Sequence, residues 1–235
     1  MKTILFDLDG TLLPMDQDIF VKTYFGFLSK RMSVHGYDPK ALIDAVWKGT
    51  GAMIGNDNSQ MNETVFWEAF SDIFDQPLFT DIEKFDEFYR EDFGKVREVC
   101  GYTPHAAELI NYLKSRGIRI ALATNPIFPK IATDQRIEWA GLNKNDFSLC
   151  TTYENIGTCK PNPEYYREIV KRLGGDPSDY LMIGNDVRED GVAKSVGINV
   201  FILTDCIINK DETDISDMPH GSWSELREYI DSWLA

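Results

Sequence analysis

Two aspartates, Asp7 and Asp9, stand at i, i+2 in the run Asp7-Leu8-Asp9-Gly10-Thr11, at the end of the apolar stretch Thr3 to Leu8. Ligand sites of open parallel sheets form at the carboxyl ends of strands, where this pair would lie. Charge at the end of an apolar strand costs stability unless a metal ion or hydrogen bonds offset it. The plainer alternative is an Asx-turn closing the strand, with Gly10 supplying a permissive backbone. Three later segments could complete a site. Thr124-Asn125 offers a hydroxyl and an amide able to donate to a phosphate oxygen ahead of a helix near Pro129, or else makes an ordinary turn. Lys160-Pro161 follows Gly157-Thr158-Cys159, and its ammonium would offset the aspartates and hold an anionic oxygen, unless it is simply solvent-exposed. Gly184-Asn185-Asp186-Val187-Arg188-Glu189-Asp190 places two carboxylates four residues apart, where both could face one cation, or where Asp186 or Asn185 caps a helix.

Strands must bring these segments together. Thr3 to Leu8, Ile118 to Thr124, Tyr180 to Gly184 and Ile198 to Leu203 are short apolar runs, and Phe147 to Thr151 is a weaker one. Helical patterns separate them. Ala106, Leu109, Ile110 and Leu113 keep i, i+3, i+4, i+7 spacing before Gly117, and a helix from Pro163 carries Tyr166, Ile169, Val170 and Leu173 before Gly174-Gly175. A closing helix is expected over Ser222 to Leu234. Alternating strands and helices predict an α/β fold with a mostly parallel sheet. Each chemical segment then ends a strand of that sheet, so all four converge on one edge. Hard oxygen ligands of this kind suit Mg²⁺. Nothing suggests zinc, because His35, His105 and His220 are far apart and paired with no cysteine.

Residues 14 to 100 break the rhythm. They hold 15 of the chain's 29 aromatic residues, at helical spacing, as in Phe20, Tyr24, Phe27 and Leu28 or Phe66, Phe70, Ile73 and Phe74. This predicts a helical domain over 14–100 inserted into a core formed by 1–13 and 101–235; the alternative is helices that merely pack on the sheet. Asp81 to Asp92 reads as the solvated face of a helix. The length, 235 residues, can bury a full core without staples, and a net charge of −14 argues against nucleic-acid or anionic-membrane partners. Four scattered cysteines, and an N-terminal apolar stretch too short for a signal peptide, point to a reduced, cytoplasmic setting. No stretch approaches 18 uncharged apolar residues.

The motif order D-x-D-G-T (Asp7 to Thr11), T-N (Thr124, Asn125), G-x-x-K-P (Gly157 to Pro161) and G-N-D-x-x-x-D (Gly184 to Asp190) resembles the haloacid dehalogenase superfamily of phosphohydrolases, over the whole chain. The resemblance implies a Rossmann-like parallel sheet with helices on both faces and a helical cap inserted after the first motif. It implies an Mg²⁺-dependent phosphatase acting on a small phosphorylated metabolite. Asp7 would be the nucleophile, forming an aspartyl-phosphate. Asp9 would protonate the leaving oxygen and then deprotonate water. Thr124, Asn125 and Lys160 would hold the phosphoryl group, with Lys160 also orienting Asp7. Mg²⁺ would be bound by Asp7, the Asp9 carbonyl and Asp186, supported by Asn185 and Asp190. The sequence reads Gly-Asn-Asp where many members have Gly-Asp, and Asp9 argues for phosphoryl transfer, since dehalogenase members lack it. A sugar-phosphate mutase of the β-phosphoglucomutase type shares these motifs and is the alternative. Asp9 must be protonated while Asp7 is ionised, so the two carboxyls are expected to titrate apart. Trp47-Lys48-Gly49-Thr50-Gly51 reads as a loop between helices that either faces the substrate, with Lys48 its contact, or is a solvent-exposed cap loop, and Gly10, Gly49 and Gly51 are sites for backbone flexibility.

Overall fold

A computed structural model describes residues 1–74 and 81–235. Phe79, one of the aromatic residues counted above, lies outside that range. Five strands form one sheet, β1 (Thr3–Phe6), β2 (Arg119–Leu122), β3 (Tyr180–Gly184), β4 (Asn199–Leu203) and β5 (His220–Gly221). Their order is β2-β1-β3-β4-β5, and every pair is parallel. The Phe147 to Thr151 run stays at the margin: it makes one parallel bridge, Leu122 to Cys150, rather than a full strand. The two-residue β5 carries no apolar run, and nothing in the sequence pattern marks it.

Alternation along the strands splits the apolar residues between two faces. Ile4, Phe6, Ile120, Leu122, Leu181 and Ile183 pack on one, and Leu5, Ala121, Met182, Val200 and Ile202 on the other. Helices cover both faces. α5 (Pro104–Ser115), α6 (Lys130–Trp139) and α8 (Trp223–Leu234) contribute to the first, and α7 (Pro163–Leu173) to the second. Capping sets their starts. Thr103 and Asn162 accept main-chain N–H groups one residue before Pro104 and Pro163, and Ser222 forms a capping box with Glu225.

Between β1 and α5 the chain is helical: α1 (Gln17–Ser33), α2 (Pro39–Ile54), α3 (Asn62–Ser71), α4 (Ile82–Glu91) and a 3₁₀ segment, Phe93–Val99. Aromatic rings hold this layer together, with Trp67, Phe70 and Phe85 in mutual edge contacts at 5.1–5.3 Å. Its apolar residues do not close off from the sheet. Phe93 stacks on Trp139 of α6 at 5.1 Å, and Phe20 meets Phe128 at 6.1 Å, so the layer and one sheet face form a single apolar cluster. The two crossings lie side by side: Met15 pairs with Cys100 in an antiparallel bridge, and Gly101 N–H donates to the Pro14 carbonyl at 2.7 Å. Among the described residues no helix is long and apolar enough to cross a membrane.

The Trp47–Gly51 segment is not a loop. It lies inside α2, whose buried face is Leu42, Ala45, Val46, Gly49 and Met53. Gly49 serves packing rather than flexibility: a Cβ there would stand 2.5 Å from the Phe66 ring. Two glycines within five residues mimic a breaker, but close helix–helix approach required one of them.

Candidate active site

The carboxyl ends of β1, β2 and β3 open into a cavity of about 140 Å³ whose lining includes Asp7, Asp9, Thr124, Asn125, Asn185, Asp186, Glu189 and Asp190. Residues from both ends of the chain therefore meet there. β1 delivers Asp7, whose N–H continues the ladder to the Ile183 carbonyl at 2.9 Å. The chain then turns sharply, with the Leu13 N–H bonded to the Leu8 carbonyl at 2.8 Å. Gly10 makes that turn at φ +84°, and a Cβ on it would fall 2.3 Å from Asn185 Nδ2. Only glycine meets both demands.

Lys160 is the floor of the site. It is 1% exposed, and its Nζ donates to Asp7 Oδ1 at 2.8 Å and Asp190 Oδ1 at 2.6 Å. The exposed-lysine alternative is thereby set aside. Burial disfavours its charge, but Asp190 and Asp7 more than offset this and hold its pKa well above the ordinary value. Asp190 also accepts the Asp186 N–H at 3.0 Å, and it fills the space a side chain on Gly184 would need. Asp186 accepts N–H bonds from Arg188 and Glu189 at 2.9 and 2.8 Å, closing a turn rather than capping a helix, since the next helical segment, Gly191–Val196, begins after Asp190. Asn185 staples two loops, accepting from Thr11 Oγ1 at 3.0 Å and donating to the Cys206 carbonyl at 2.7 Å.

Thr124 is buried at the end of the β2 segment, and its carbonyl accepts from the Tyr165 hydroxyl at 2.8 Å. Tyr166, the next residue on α7, donates to the Glu189 carbonyl at 2.9 Å. The helical pattern marked Tyr166 only as core, yet these two phenols tie α7 to both loops. Asn125 lines the cavity, but its amide nitrogen faces Glu189 Oε2 at 3.0 Å and the Lys160 carbonyl at 3.4 Å, rather than standing free for a phosphate.

Sequence reasoning missed two charged residues. Glu189, at an unspecified position of the fourth motif, contributes a half-buried carboxylate. Arg136, 1% exposed on α6, pairs with Asp9 Oδ2 and lies 4.4 Å over the Phe128 ring. No local pattern around Arg136 signals it; a buried arginine is recognisable only once its partner is placed. Lys48 is the converse case: it sits on α2, 44% exposed, bonded to Asp72 at 3.1 Å, and is absent from the cavity lining.

Five carboxylates (Asp7, Asp9, Asp186, Glu189, Asp190) thus surround two cations, Lys160 and Arg136. Burial, opposed by Lys160 and reinforced by Asp190 and Asp9, pushes the Asp7 carboxyl up to about 8, and burial pushes Glu189 up to about 7. In the bare chain Asp7 therefore tends to keep a proton, and a bound cation would favour its ionised form. Asp9 Oδ1 and Asn125 Oδ1 are buried without a partner. Surplus negative charge with orphaned hard oxygens fits a divalent cation. Among the described residues no three His, Cys, Asp or Glu side chains converge as a ready metal cluster, and the expected set, with two carboxylates and one main-chain carbonyl, does not require one.

The sequence of residues 1–197 matches the haloacid dehalogenase-like hydrolase family. The chain is 26% identical over 200 residues, 85% of its length, to a bifunctional riboflavin kinase/FMN phosphatase of Arabidopsis thaliana, and spans 48% of that relative. It is 26% identical over 204 residues to a phosphoglycolate phosphatase of Vibrio vulnificus, covering 87% of this chain and 84% of that one. Its fold is similar to the crystal structure of an HAD phosphatase from Thermococcus onnurineus, with TM-score 0.57 and 21% identity over 98% of each chain. With its motifs gathered at one sheet edge and most of its length matched, the chain belongs to the haloacid dehalogenase-like hydrolases, among their phosphoric monoester hydrolases.

Proposed function

We propose that the chain is an Mg²⁺-dependent phosphatase of a small phosphorylated metabolite, working through an aspartyl-phosphate at Asp7. The observation that carries this is Lys160, buried and bonded at once to Asp7 and Asp190. An ammonium fixed against a nucleophilic carboxylate lowers its repulsion for a phosphate dianion and stabilises charge on the equatorial oxygens. Mg²⁺, when held by Asp7, the Asp9 carbonyl and Asp186, would supply further charge neutralisation at the same place.

Asp7 attacks phosphorus, the bond to the leaving oxygen breaks, and Asp9 gives that oxygen a proton. Water then attacks the phosphoryl group while Asp9 takes its proton, the bond to Asp7 breaks, and inorganic phosphate leaves. Arg136 pairs with Asp9 Oδ2 and so fixes the carboxyl that exchanges the proton. Thr124 and Lys160 hold the phosphoryl oxygens, and Asn125 positions Glu189 and the Lys160 loop. Asn185 and Asp190 brace the loop that carries Asp186. The division of the chain into a core of 1–13 and 101–235 and a cap of 14–100 belongs to the same reading.

A phosphate-release screen of phosphorylated metabolites with Mg²⁺ tests it, with Asp7→Asn as control. Turnover should fall at least ~10⁴-fold in that variant, in keeping with loss of a covalent nucleophile. Retained turnover would refute the aspartyl-phosphate. A mutase would convert β-glucose 1-phosphate without releasing phosphate.

A further inference from the structure

A second cavity, of about 310 Å³, adjoins the first: Asp186 and Glu189 line both, and Lys160 stands in its wall. That volume suits a small-molecule site. Among the described residues the helical layer gives it only Ile54, at the end of α2; the rest of the wall is Lys160-Pro161 and the loops that follow β3 and β4. Those two loops are stitched together. Ile208 N–H donates to the Asn185 carbonyl at 2.8 Å, and Val187 N–H donates to the Ile208 carbonyl at 2.9 Å. Asn209 folds the second loop back on itself: its Nδ2 donates to the Thr213 carbonyl and its Oδ1 accepts the Thr213 N–H, each at 2.9 Å. Arg188 and Lys210 thus reach the cavity wall from main chain fixed to the Asp186 turn.

The charges in this wall differ in how far they are engaged. Lys160 is taken by Asp7 and Asp190, Asp186 by the two N–H groups of its turn, and Glu189 by the Asn125 amide. Arg188, Lys210 and Asp211 are exposed, and among the described residues none of these three side chains has an ion-pair or hydrogen-bond partner. Two unengaged cations against one carboxylate leave a local positive surplus on a chain whose net charge is −14.

We propose that Arg188 and Lys210 bind a second anionic group carried by the leaving group, a carboxylate or a phosphate, while the phosphoryl group lies at Asp7. The inference rests on the phosphatase reading and names its substrate class. An unpaired guanidinium and ammonium can give charge-assisted hydrogen bonds to such an anion without breaking an existing pair. A neutral leaving group would leave both in water and gain nothing from them. The negative field of the whole chain opposes the approach of any anion, so a preference for doubly anionic esters requires a local site of this kind. Selection by charge is thereby assigned to two loops at the sheet edge, not to the helical layer, whose part in this wall is the apolar Ile54.

The test compares kcat/KM of the full chain with Mg²⁺ within two matched pairs of esters: phosphoglycolate against 2-hydroxyethyl phosphate, and propane-1,3-diol bisphosphate against 3-hydroxypropyl phosphate. The first pair offers a carboxylate and the second a phosphate, so the two arms separate the two sources of the anion. In at least one pair the anionic member is expected to exceed the neutral one by about tenfold or more, the value of one charge-assisted contact. Arg188→Gln and Lys210→Gln should each lower that ratio by about threefold or more, chiefly through KM, and the double variant should bring it near one. The neutral esters should keep their wild-type kcat/KM throughout, and Lys210→Arg should keep the ratio. Asp211→Asn removes the opposing carboxylate and should raise it. A wild-type ratio near one in both pairs overturns the inference and leaves the phosphatase reading standing. So does an unchanged ratio in a double variant of wild-type Tm. If the double variant fails to fold, the two single variants decide. Phosphate release from none of the four esters nor from 4-nitrophenyl phosphate overturns the phosphatase reading and the inference with it.

Discussion

The floor of the cavity and its roof are built on opposite principles. The floor is directional: Lys160, Asp190 and Asn185 are each held by hydrogen bonds from two sides, Asp7 is held by Lys160, and Gly10 and Gly184 leave no room for a methyl group. The roof is a set of edge-to-face rings on α1, α3 and α4, whose contacts have area but little directionality. Chemistry needs atoms fixed to fractions of an ångström, and buried charge networks provide that. Enclosing a leaving group needs shape, which apolar walls provide while tolerating exchange of one side chain for another.

The sharpest way to break the contrast is to remove the floor's cation. Lys160→Met should cut turnover about 10³-fold. Without metal it should also destabilise the fold by about 3–5 kcal/mol, because Asp7 and Asp190 are left buried and unpaired. Urea unfolding with and without Mg²⁺ measures this, and a loss confined to activity would show that the network positions without stabilising. Asn62 tests the seam between floor and roof. It is wholly buried at the start of α3, where its Nδ2 lies 3.3 Å from the Thr158 carbonyl and its Oδ1 accepts from Asn56 at 2.9 Å. Asn62→Ala should cost about 1–3 kcal/mol by orphaning these groups, and shift KM more than kcat.

The floor should also show in the pH dependence of stability. Folding raises the Asp7 carboxyl to about 8 and Glu189 to about 7. A raised carboxyl binds its proton more tightly when folded, so its contribution is full below the unfolded pKa and is lost as pH climbs through the folded value. The metal-free protein should therefore lose Tm from pH 5 to pH 8. Mg²⁺ should oppose that loss, with a Tm increment that grows over the same interval as protons are released. A metal-free Tm that rises across this range would contradict the raised values. The smallest effect belongs to the roof's outer surface. Lys48→Ala removes an exposed pair with Asp72 and should change stability by no more than about 0.5 kcal/mol. KM and the order of substrate preference should stay as in wild type.

Most of the floor was legible because its residues are tied to local patterns. A strand pattern ending in Asp7 or Gly184 fixes where the next side chains emerge, and parallel strands bring those ends together. Pro163 and Ser222 marked helix starts that the structure shows within a residue. Arg136 was invisible because its role depends on Asp9, far away in sequence, and its neighbours on α6 follow no distinguishing pattern. Glu189 hid at a position the motif leaves open. Gly49 misled for a related reason: in sequence it resembles a breaker, and only the approach of Phe66 explains it. The roof's composition was legible as aromatic and helical, but its continuity with the sheet through Phe93 and Trp139 depends on tertiary contact.

The crossings at Pro14–Met15 and Cys100–Gly101 lie within a single hydrogen bond of each other. To the sheet, the helical excursion between them is closed off like a tight hairpin, whatever its length or content. Closing a loop of fixed end separation depends only weakly on the number of residues inside. The scaffold can thus accept a differently shaped module at this point, so that new substrate ranges could be grafted there while β1 continues to present Asp7 unchanged.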